Sequence, residues 1–359
     1  MLQLHVVQAE FGDCLLLEYG SASQRFILID GGPQGIFAAH LKGELQKIAQ
    51  SGGPLDLAVL SHVDNDHVLG LLDYFADLRT ANHQLPIPAE LWHNAFTSTI
   101  DPNGMILPRL SALVTPGAAH VMAESAIAVD GIAEGNSLRT HALAIGIPIN
   151  QGFAGGLITV DNAGASRVFD DLTLTIAGPT QTNLDELEQK WIDWLDQHEN
   201  GIQSGDPFVM ANADRSVPNM SSIMFLAESS GRRILLTGDG RSDHLLTGLG
   251  AAGLLDGGGK MHVDVLKLPH HGSNRNITKG FFKRVTADIY VASANGKDDN
   301  PDLATLIWLV EAARDQNRQV TIAVTNETLS VEKLQEDYPD TDFPYTLRIL
   351  PAGQSAMVI

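Results

Sequence analysis

Cysteine is almost absent from this chain. Cys14 is the single one in 359 residues, so no intramolecular disulfide can form and a reducing compartment fits. It sits in the apolar run "CLLLEY", where a lone thiol acts as a small buried hydrophobe. Basic residues are also scarce: 23 Lys and Arg stand against 43 Asp and Glu, a formal charge of −20. Such a surface repels phosphate backbones at long range and excludes a broad duplex-DNA-binding face, though a local groove or a metal can still hold one phosphate. No window has the apolar length of a membrane span, so no membrane partner is expected. The start "MLQLHVVQAEF" has neither the basic nor the apolar region of a signal peptide, and cytoplasm is the expected location. Biased tracts, short repeats and a Gly- or Pro-rich linker are missing too. What is there is a globular chain, 44% hydrophobic and 18% charged, with ample length to bury a core. Nothing in it fixes an oligomeric state.

The first part reads as short strands at 2–9, 14–19 and 25–30, then a helix over 36–50 with Ile36, Phe37, Leu41, Leu45 and Ile48 on one face. Gly52-Gly53-Pro54 stops that helix, and "LDLAVLS" (55–61) is the next strand, apolar enough to be covered on both faces. The segment 80–215 is less regular. Its clear element is a helix over 182–200, with Leu184, Leu187, Trp191, Trp194 and Leu195 on one face and Thr182 with Asp185 as its cap. The last part returns to strands at 221–228, 232–238, 263–269, 287–293 and 319–324, with helices near 241–250 and 302–316. The closing "TLRILPAGQSAMVI" alternates like one or two ordered strands. Two halves of sheet followed by helix, packed sheet on sheet, make a four-layer α/β/β/α sandwich. The expectation is one domain over 1–359 with an insertion at about 80–215 between its halves.

Polar residues gather at strand ends, where α/β architectures place ligands. "LIDGG" supplies Asp30, "LLTGDG" Asp239, and "KLPHHGS" His270, His271 and Ser273. The strand at 221–228 is entered through "NMSS", with Asn219 and Ser222. The densest cluster is "SHVDNDH", which puts His62, Asp64, Asp66 and His67 on one turn after a strand. Two carboxylates so close repel each other, and a divalent cation removes that cost while holding imidazoles neutral. His62 and Asp64 are two apart and face one side of extended backbone, whereas Asp66 and His67 open the helix and point elsewhere. That geometry suits two neighbouring ions, which Asp239 can bridge. Mixed oxygen and nitrogen donors fit Zn²⁺, and a larger oxygen share also suits Mn²⁺ or Fe²⁺.

At these residues the sequence resembles the metallo-β-lactamase superfamily of binuclear hydrolases. Within it, the chain looks most like the hydrolase domain of competence-type DNA-uptake proteins and their stand-alone relatives. The resemblance rests on "IDGG", "LSHVDNDHVLGL", "LLTGDG" and "LKLPHHGS", over roughly 1–75 and 215–300. It implies that His62 and Asp64 belong to a first metal site and Asp66 and His67 to a second. It implies further that Asp239 bridges and that one of His270 and His271, with His270 preferred, completes the second site. Asp30 is then the carboxylate that orients a motif histidine. The sequence departs from the family at Asp64, which stands for a histidine. The first site also lacks its remaining histidine, with Asn219 and Ser222 in that neighbourhood. Asn300 stands where the DNA-uptake relatives carry a histidine, and Lys297 beside it can meet an anionic substrate.

The activity implied is hydrolysis by a metal-bound hydroxide between two divalent ions, Zn or Mn, with Asp66 handling its proton and His271 or Ser273 donating to the oxyanion or leaving group. A phosphodiesterase acting on an anionic small molecule or a short nucleic acid is the first expectation. A hydrolase of esters, thioesters or lactones under an apolar lid from 95–160 is the second. A non-catalytic, metal-stabilised binding module is the third. Trp92, His93 and Asn94 in "LWHNAF" either line the pocket or plug the space beneath the insertion.

Overall fold

In the computed structural model, residues 1–80, 84–99, 101–113, 122–164, 166–199 and 221–359 are described. Asn219 lies outside them. One sheet combines β1 (Leu2–Val7), β2 (Leu15–Tyr19), β3 (Arg25–Ile29), β4 (Leu55–Leu60), β5 (Leu91–His93) and β14 (Ala356–Val358), in the order β14-β1-β2-β3-β4-β5. The other takes β6 (Arg167–Phe169), β7 (Leu172–Gly178), β8 (Met224–Ser229), β9 (Arg232–Leu236), β10 (Met261–Lys267), β11 (Val285–Ala292), β12 (Val320–Val324) and β13 (Tyr345–Ile349), in the order β13-β12-β11-β10-β9-β8-β7-β6. Each sheet is antiparallel on one side and parallel on the other: β3, β4 and β5 run parallel, as do β9 to β13.

Strand alternation builds the layers. Leu57 and Val59 of β4 face Phe225, Ile234 and Val265 of the other sheet in an apolar core between the sheets, while Ala58 and Leu60 face outward. That outer face is covered by α1 (Lys42–Ser51) and α2 (Asn65–Leu78), through Leu45, Ile48, Leu71 and Phe75. Among the described residues the middle of the chain adds α3 (Phe96–Thr99), α4 (Ile106–Leu113), α5 (Met122–Ile145) and α6 (Val160–Ala163), followed by α7 (Gln181–Glu199). The outer face of the second sheet is covered by α8 (Ser242–Ala251), α9 (Leu303–Asp315) and α10 (Leu329–Asp337), with Leu245, Leu306 and Val331 in that core. The result is a mixed α/β sandwich with helices outside two packed sheets.

Several expectations change in detail. The helix over 36–50 opens as a π turn at Phe37–Leu41 before α1 begins. The cap of α7 is Thr180, whose Oγ1 accepts from the Asn183 amide at 3.2 Å, and not Thr182, which is inside the helix. Leu184, Leu187, Trp191 and Leu195 are buried as read; the side chain of Trp194 lies outside the described ones. The segment read as less regular holds the 24-residue α5, and β6 and β7 extend the second sheet. The closing residues form β13 in one sheet and β14 beside β1 in the other. No helix among the described residues is long and apolar enough to cross a membrane.

One close approach sets the geometry of the site. A Cβ on Gly70 of α2 would lie 1.8 Å from the Gly31 carbonyl oxygen, so the helix crosses the end of β3 backbone to backbone. The Gly31 amide donates to the His67 carbonyl at 2.8 Å, and the Gly70 amide to that of Gly32 at 3.0 Å. The first turn of α2 is thereby pinned beside Asp30.

Candidate metal centre

Asp239 is the hub. It follows β9, is 1% exposed, and receives imidazole nitrogens from two parts of the chain. His67 Nε2 is 3.3 Å from its Oδ1. His271 Nε2 is 3.4 Å, His270 Nε2 3.6 Å and His62 Nε2 3.8 Å from its Oδ2. Asp66 Oδ2 adds contacts of 3.4 Å to His271 Nε2 and 3.9 Å to His67 Nε2, and Asp64 Oδ2 lies 3.5 Å from His62 Nε2. Asp64 holds the N-cap position of α2 yet makes no side-chain cap bond, so its carboxylate is left for the cluster.

The opposite nitrogen is hydrogen-bonded on three of the four rings. His67 Nδ1 lies 2.9 Å from Asp30 Oδ2, and Ser61 Oγ donates to that same oxygen at 2.7 Å. Ser61 has one hydroxyl proton, so with that proton on Asp30 it accepts from His62 Nδ1, 3.0 Å away. His270 Nδ1 meets Asn276 Oδ1 at 2.8 Å, and the Asn276 amide donates to the Asp239 carbonyl at 3.0 Å. On the fourth ring, His271 Nδ1 faces Asp13 Oδ1 at 3.4 Å, both atoms buried and neither hydrogen-bonded. A proton held at Nδ1 leaves the Nε2 lone pair of His62 and of His67 for a cation.

Buried polar atoms are normally hydrogen-bonded. Here His62 Nε2, His67 Nε2, His271 Nε2 and Asp239 Oδ1 are buried with no such partner. Their separations exceed hydrogen-bond length and match the edge of a tetrahedron, about 3.3 Å for bonds of 2.0–2.1 Å. Asp66, His67, Asp239 and His271 offer donor atoms all within 4.8 Å of one another. The residues therefore fit a divalent cation. Asp13, Asp30 and His67 form a second such group, but His67 Nδ1 is already bonded to Asp30 and Asp13 is ion-paired with Lys267.

Without an ion, the groups hold one another's charge. Burial disfavours the imidazolium of His67 and of His271, but the carboxylates around each, Asp239 foremost, outweigh it and raise both well above the usual value. Burial likewise works against an ionised Asp239, yet His271, His67 and His270 hold its carboxyl well below the carboxylate range. A dication displaces those protons and takes over the same carboxylates.

The six residues expected as ligands, His62, Asp64, Asp66, His67, Asp239 and His270, are thus brought together. The four-residue group contains His271, expected as a proton donor, and omits His270, the preferred ligand. The side chain of His271 is 2% exposed and that of His270 21%. The two histidines also have left-handed backbones, φ 54° and 45°, as does Asp30 at 57°. Such strain concentrates at functional sites. Ser222 Oγ accepts from the Asp239 amide at 3.3 Å and so supports the hub. Ser273 Oγ accepts from the Arg275 amide at 3.4 Å, closing the turn after His271.

Around the centre, α5 crosses the metal turn: a Cβ on Gly131 would lie 2.5 Å from the Val63 carbonyl oxygen. Trp92 is a plug, edge-on to Phe153 and Phe225 between the sheets. His93 lies buried beneath α5, pushed down to about 3 by burial and Arg139, and stays neutral. Asn94 ties to Ile158 backbone at 2.7 and 2.8 Å. Lys297 lies over the Phe11 ring, and Asn300 is buried. Sequence reasoning missed Ser61, Asn276 and the Asp13–Lys267 pair. The pairing of polar residues in "GDC" and "VLKLP" with an apolar strand context was the available signal.

A family model of the metallo-beta-lactamase superfamily matches residues 7–97, which carry Asp30 and the "HVDNDH" turn but not Asp239 or His271. The match supports that superfamily, whose members include metal-dependent hydrolases, and the two-sheet architecture is consistent with its fold. The chain is also 33% identical over 117 residues to microtubule-associated protein 1A of Mus musculus and of Rattus norvegicus, covering 32% of this chain and 4% of theirs. The Homo sapiens protein of that name is 33% identical over 106 residues, 28% of this chain. The chain spans only about 4% of the length of these curated relatives.

Proposed function

We propose that this protein is a binuclear metal-dependent phosphodiesterase acting on a nucleotide or a short nucleic acid. The observation that carries the reading is the convergence of four Nε2 atoms on the carboxylate of Asp239, three of the rings hydrogen-bonded at their other nitrogen and the fourth, His271, facing Asp13 there. Asp66, His67 and His271 would hold one ion with Asp239. His62 and Asp64, with the second oxygen of Asp239, would hold another, and His270, whose Nε2 is 3.6 Å from that oxygen, would complete it. Bound divalent ions of the Zn or Mn type lower the pKa of a coordinated water and polarise the bond to be cleaved. The chain's own part is to fix the donors through Ser61, Asp30, Asn276 and Asp13, and to let Asp66 take up or deliver a proton at the rim.

Three carboxylates in the donor set favour a hard, oxygen-tolerant ion and a phosphoryl substrate. The −20 charge favours a small or single-stranded substrate over a duplex. A second reading, an ester, thioester or lactone hydrolase, draws on α5, which lays a helical wall across the metal turn. A non-catalytic module is a third. The association named for the relatives is not carried over, because the shared stretch is so small a part of them.

The test strips the protein with chelator and restores Zn²⁺, Mn²⁺, Fe²⁺ or Mg²⁺ singly. A chromogenic phosphodiester, an ester and a lactone are then assayed while the bound ions are counted. Phosphodiester turnover with two ions per chain is expected. Turnover of the ester or lactone alone moves the assignment to the second reading, and one tight ion without turnover to the third.

A further inference from the structure

Lys267 is the only fully buried lysine or arginine among the described residues. It sits at the end of β10, 0% exposed, with Nζ 2.5 Å from Asp13 Oδ2 and donating to the Leu268 carbonyl at 3.1 Å. Asp13 is 1% exposed, and its other oxygen faces His271 Nδ1 at 3.4 Å. A buried ion pair of this kind is rarely the best way to gain stability, since apolar residues of the same volume often do as well. Its presence beside the metal turn points to another role.

The loop bearing Asp13 is wired into the metal turn. The Asp13 amide donates to the Asp66 carbonyl at 3.3 Å. A Cβ on Gly12 would lie 2.0 Å from that same oxygen, so only glycine lets the loop lie so close. Ser293 Oγ donates to the Gly12 carbonyl at 2.6 Å and anchors the loop from β11. Asp13 is therefore held through its amide and through Lys267 at one oxygen, while its other oxygen faces His271 Nδ1 with no hydrogen bond of its own.

We propose that Asp13 and Lys267 form a positioning pair that sets the tautomer of His271. In this arrangement Asp13 accepts from Nδ1–H and leaves the Nε2 lone pair aimed at Asp239 and Asp66, while Lys267 fixes which carboxylate oxygen is available. This rests on the metal-centre reading above. It assigns to His271 the service that Asp30 gives His67, from a carboxylate on a different loop.

The chemistry predicts an asymmetry between variants. Lysine only donates, so it needs an acceptor. In Asp13→Asn the single amide oxygen goes to Lys267, and the NH₂ group turns to His271 Nδ1. Nδ1 then becomes an acceptor, the proton moves to Nε2, and that nitrogen can no longer ligate. Removing Lys267 as well frees the amide oxygen to rotate back to His271.

The experiment measures Zn²⁺ affinity of the full chain by competition with a chromogenic chelator, and the visible spectrum of the Co²⁺-loaded protein. The variants are Asp13→Asn, Asp13→Asn/Lys267→Met and Asp13→Leu/Lys267→Met. Asp13→Asn should bind the ion at the His271 site about 10- to 100-fold more weakly than wild type, with an altered Co²⁺ spectrum. Asp13→Asn/Lys267→Met should regain affinity and spectrum, and Asp13→Leu/Lys267→Met should not. Both double variants lack the ion pair, so a purely structural role shifts their melting temperatures alike and leaves their Zn²⁺ affinities equal. Equal affinities overturn the proposal even if Asp13→Asn alone does not fold. A wild-type chain that binds no divalent ion overturns the metal-centre reading instead, and this proposal with it.

Discussion

His67 Nδ1 lies 2.9 Å from Asp30 Oδ2, the oxygen that also accepts from Ser61 Oγ at 2.7 Å. One carboxylate thus orients His67 directly and His62 through Ser61, whose Oγ is 3.0 Å from His62 Nδ1. Asp30→Asn keeps the shape and, with its one oxygen taken by the Ser61 amide, turns an NH₂ group to His67 and Ser61, so His67 loses its acceptor and the Ser61 hydroxyl that serves His62 loses its own. Zn²⁺ affinity should fall about 10- to 100-fold while the circular dichroism of the folded chain is unchanged. Unaltered affinity in chelator competition would discard the relay.

Asp239 contributes one oxygen to His67 and the other to His62, His270 and His271. Asp239→Asn replaces one of those anionic donors with an amide that ligates hard cations poorly. Elemental analysis should show the ion count dropping from two to at most one per chain, with hydrolysis abolished. A variant that still carries two ions and turns over substrate removes Asp239 from the bridging position.

The metal-free protein should respond to pH in a defined direction. Burial disfavours the charged forms of His67 and His271, but Asp239 and its neighbours raise both well above 6.5. A raised histidine contributes stability that is complete below its unfolded pKa and is lost as pH rises through the folded one. The chelated protein should therefore melt at its highest temperature on the acid side of pH 6.5 and lose stability above it. Zn²⁺ should restore the alkaline side, because the ion replaces those protons, and its binding should release them. Melting curves from about pH 5.5 to about 9, with and without Zn²⁺, measure this. A chelated protein whose melting temperature climbs across that range contradicts it.

The parts of the centre that were legible in sequence are contiguous or stand at strand ends. "HVDNDH" is one turn, and Asp30, Asp239 and the two histidines follow apolar runs. The sandwich was legible for a similar reason, since β4 is apolar throughout and α1 and α2 carry apolar faces. What escaped is held together across long separations. Asp13 alone looks like a turn residue, and Lys267 alone looks like a solvated lysine interrupting a strand; only their pairing explains either. Asn276 acts on a residue 37 positions away. Helix α5 escaped because alanines and glycines fill much of "MAESAIAVDGIAEGNSLRTHALAI", which leaves no apolar stripe to read. The choice between His270 and His271 could not be read at all, because it depends on two successive left-handed backbones.

The crossing of α2 over β3 gives a last test, in which stability and metal binding should fall together. A Cβ on Gly70 would meet the Gly31 carbonyl oxygen at 1.8 Å, the Gly31 carbonyl carbon at 2.6 Å and its Cα at 3.1 Å. All three are backbone atoms, so no side-chain rotation relieves the clash, and α2 must move off the sheet. Gly70→Ala normally favours a helix, by about 1 kcal/mol. Here the overlap should outweigh that gain and destabilise by about 1–3 kcal/mol. Because His67 lies one turn earlier and its carbonyl accepts from the Gly31 amide, its ring should shift away from Asp239 and weaken Zn²⁺ binding as well. Leu143→Ala, on a side chain 66% exposed, is the control and should stay within about 0.5 kcal/mol of wild type. If Gly70→Ala melts at or above the wild-type temperature and binds Zn²⁺ normally, the backbone crossing does not position the metal turn.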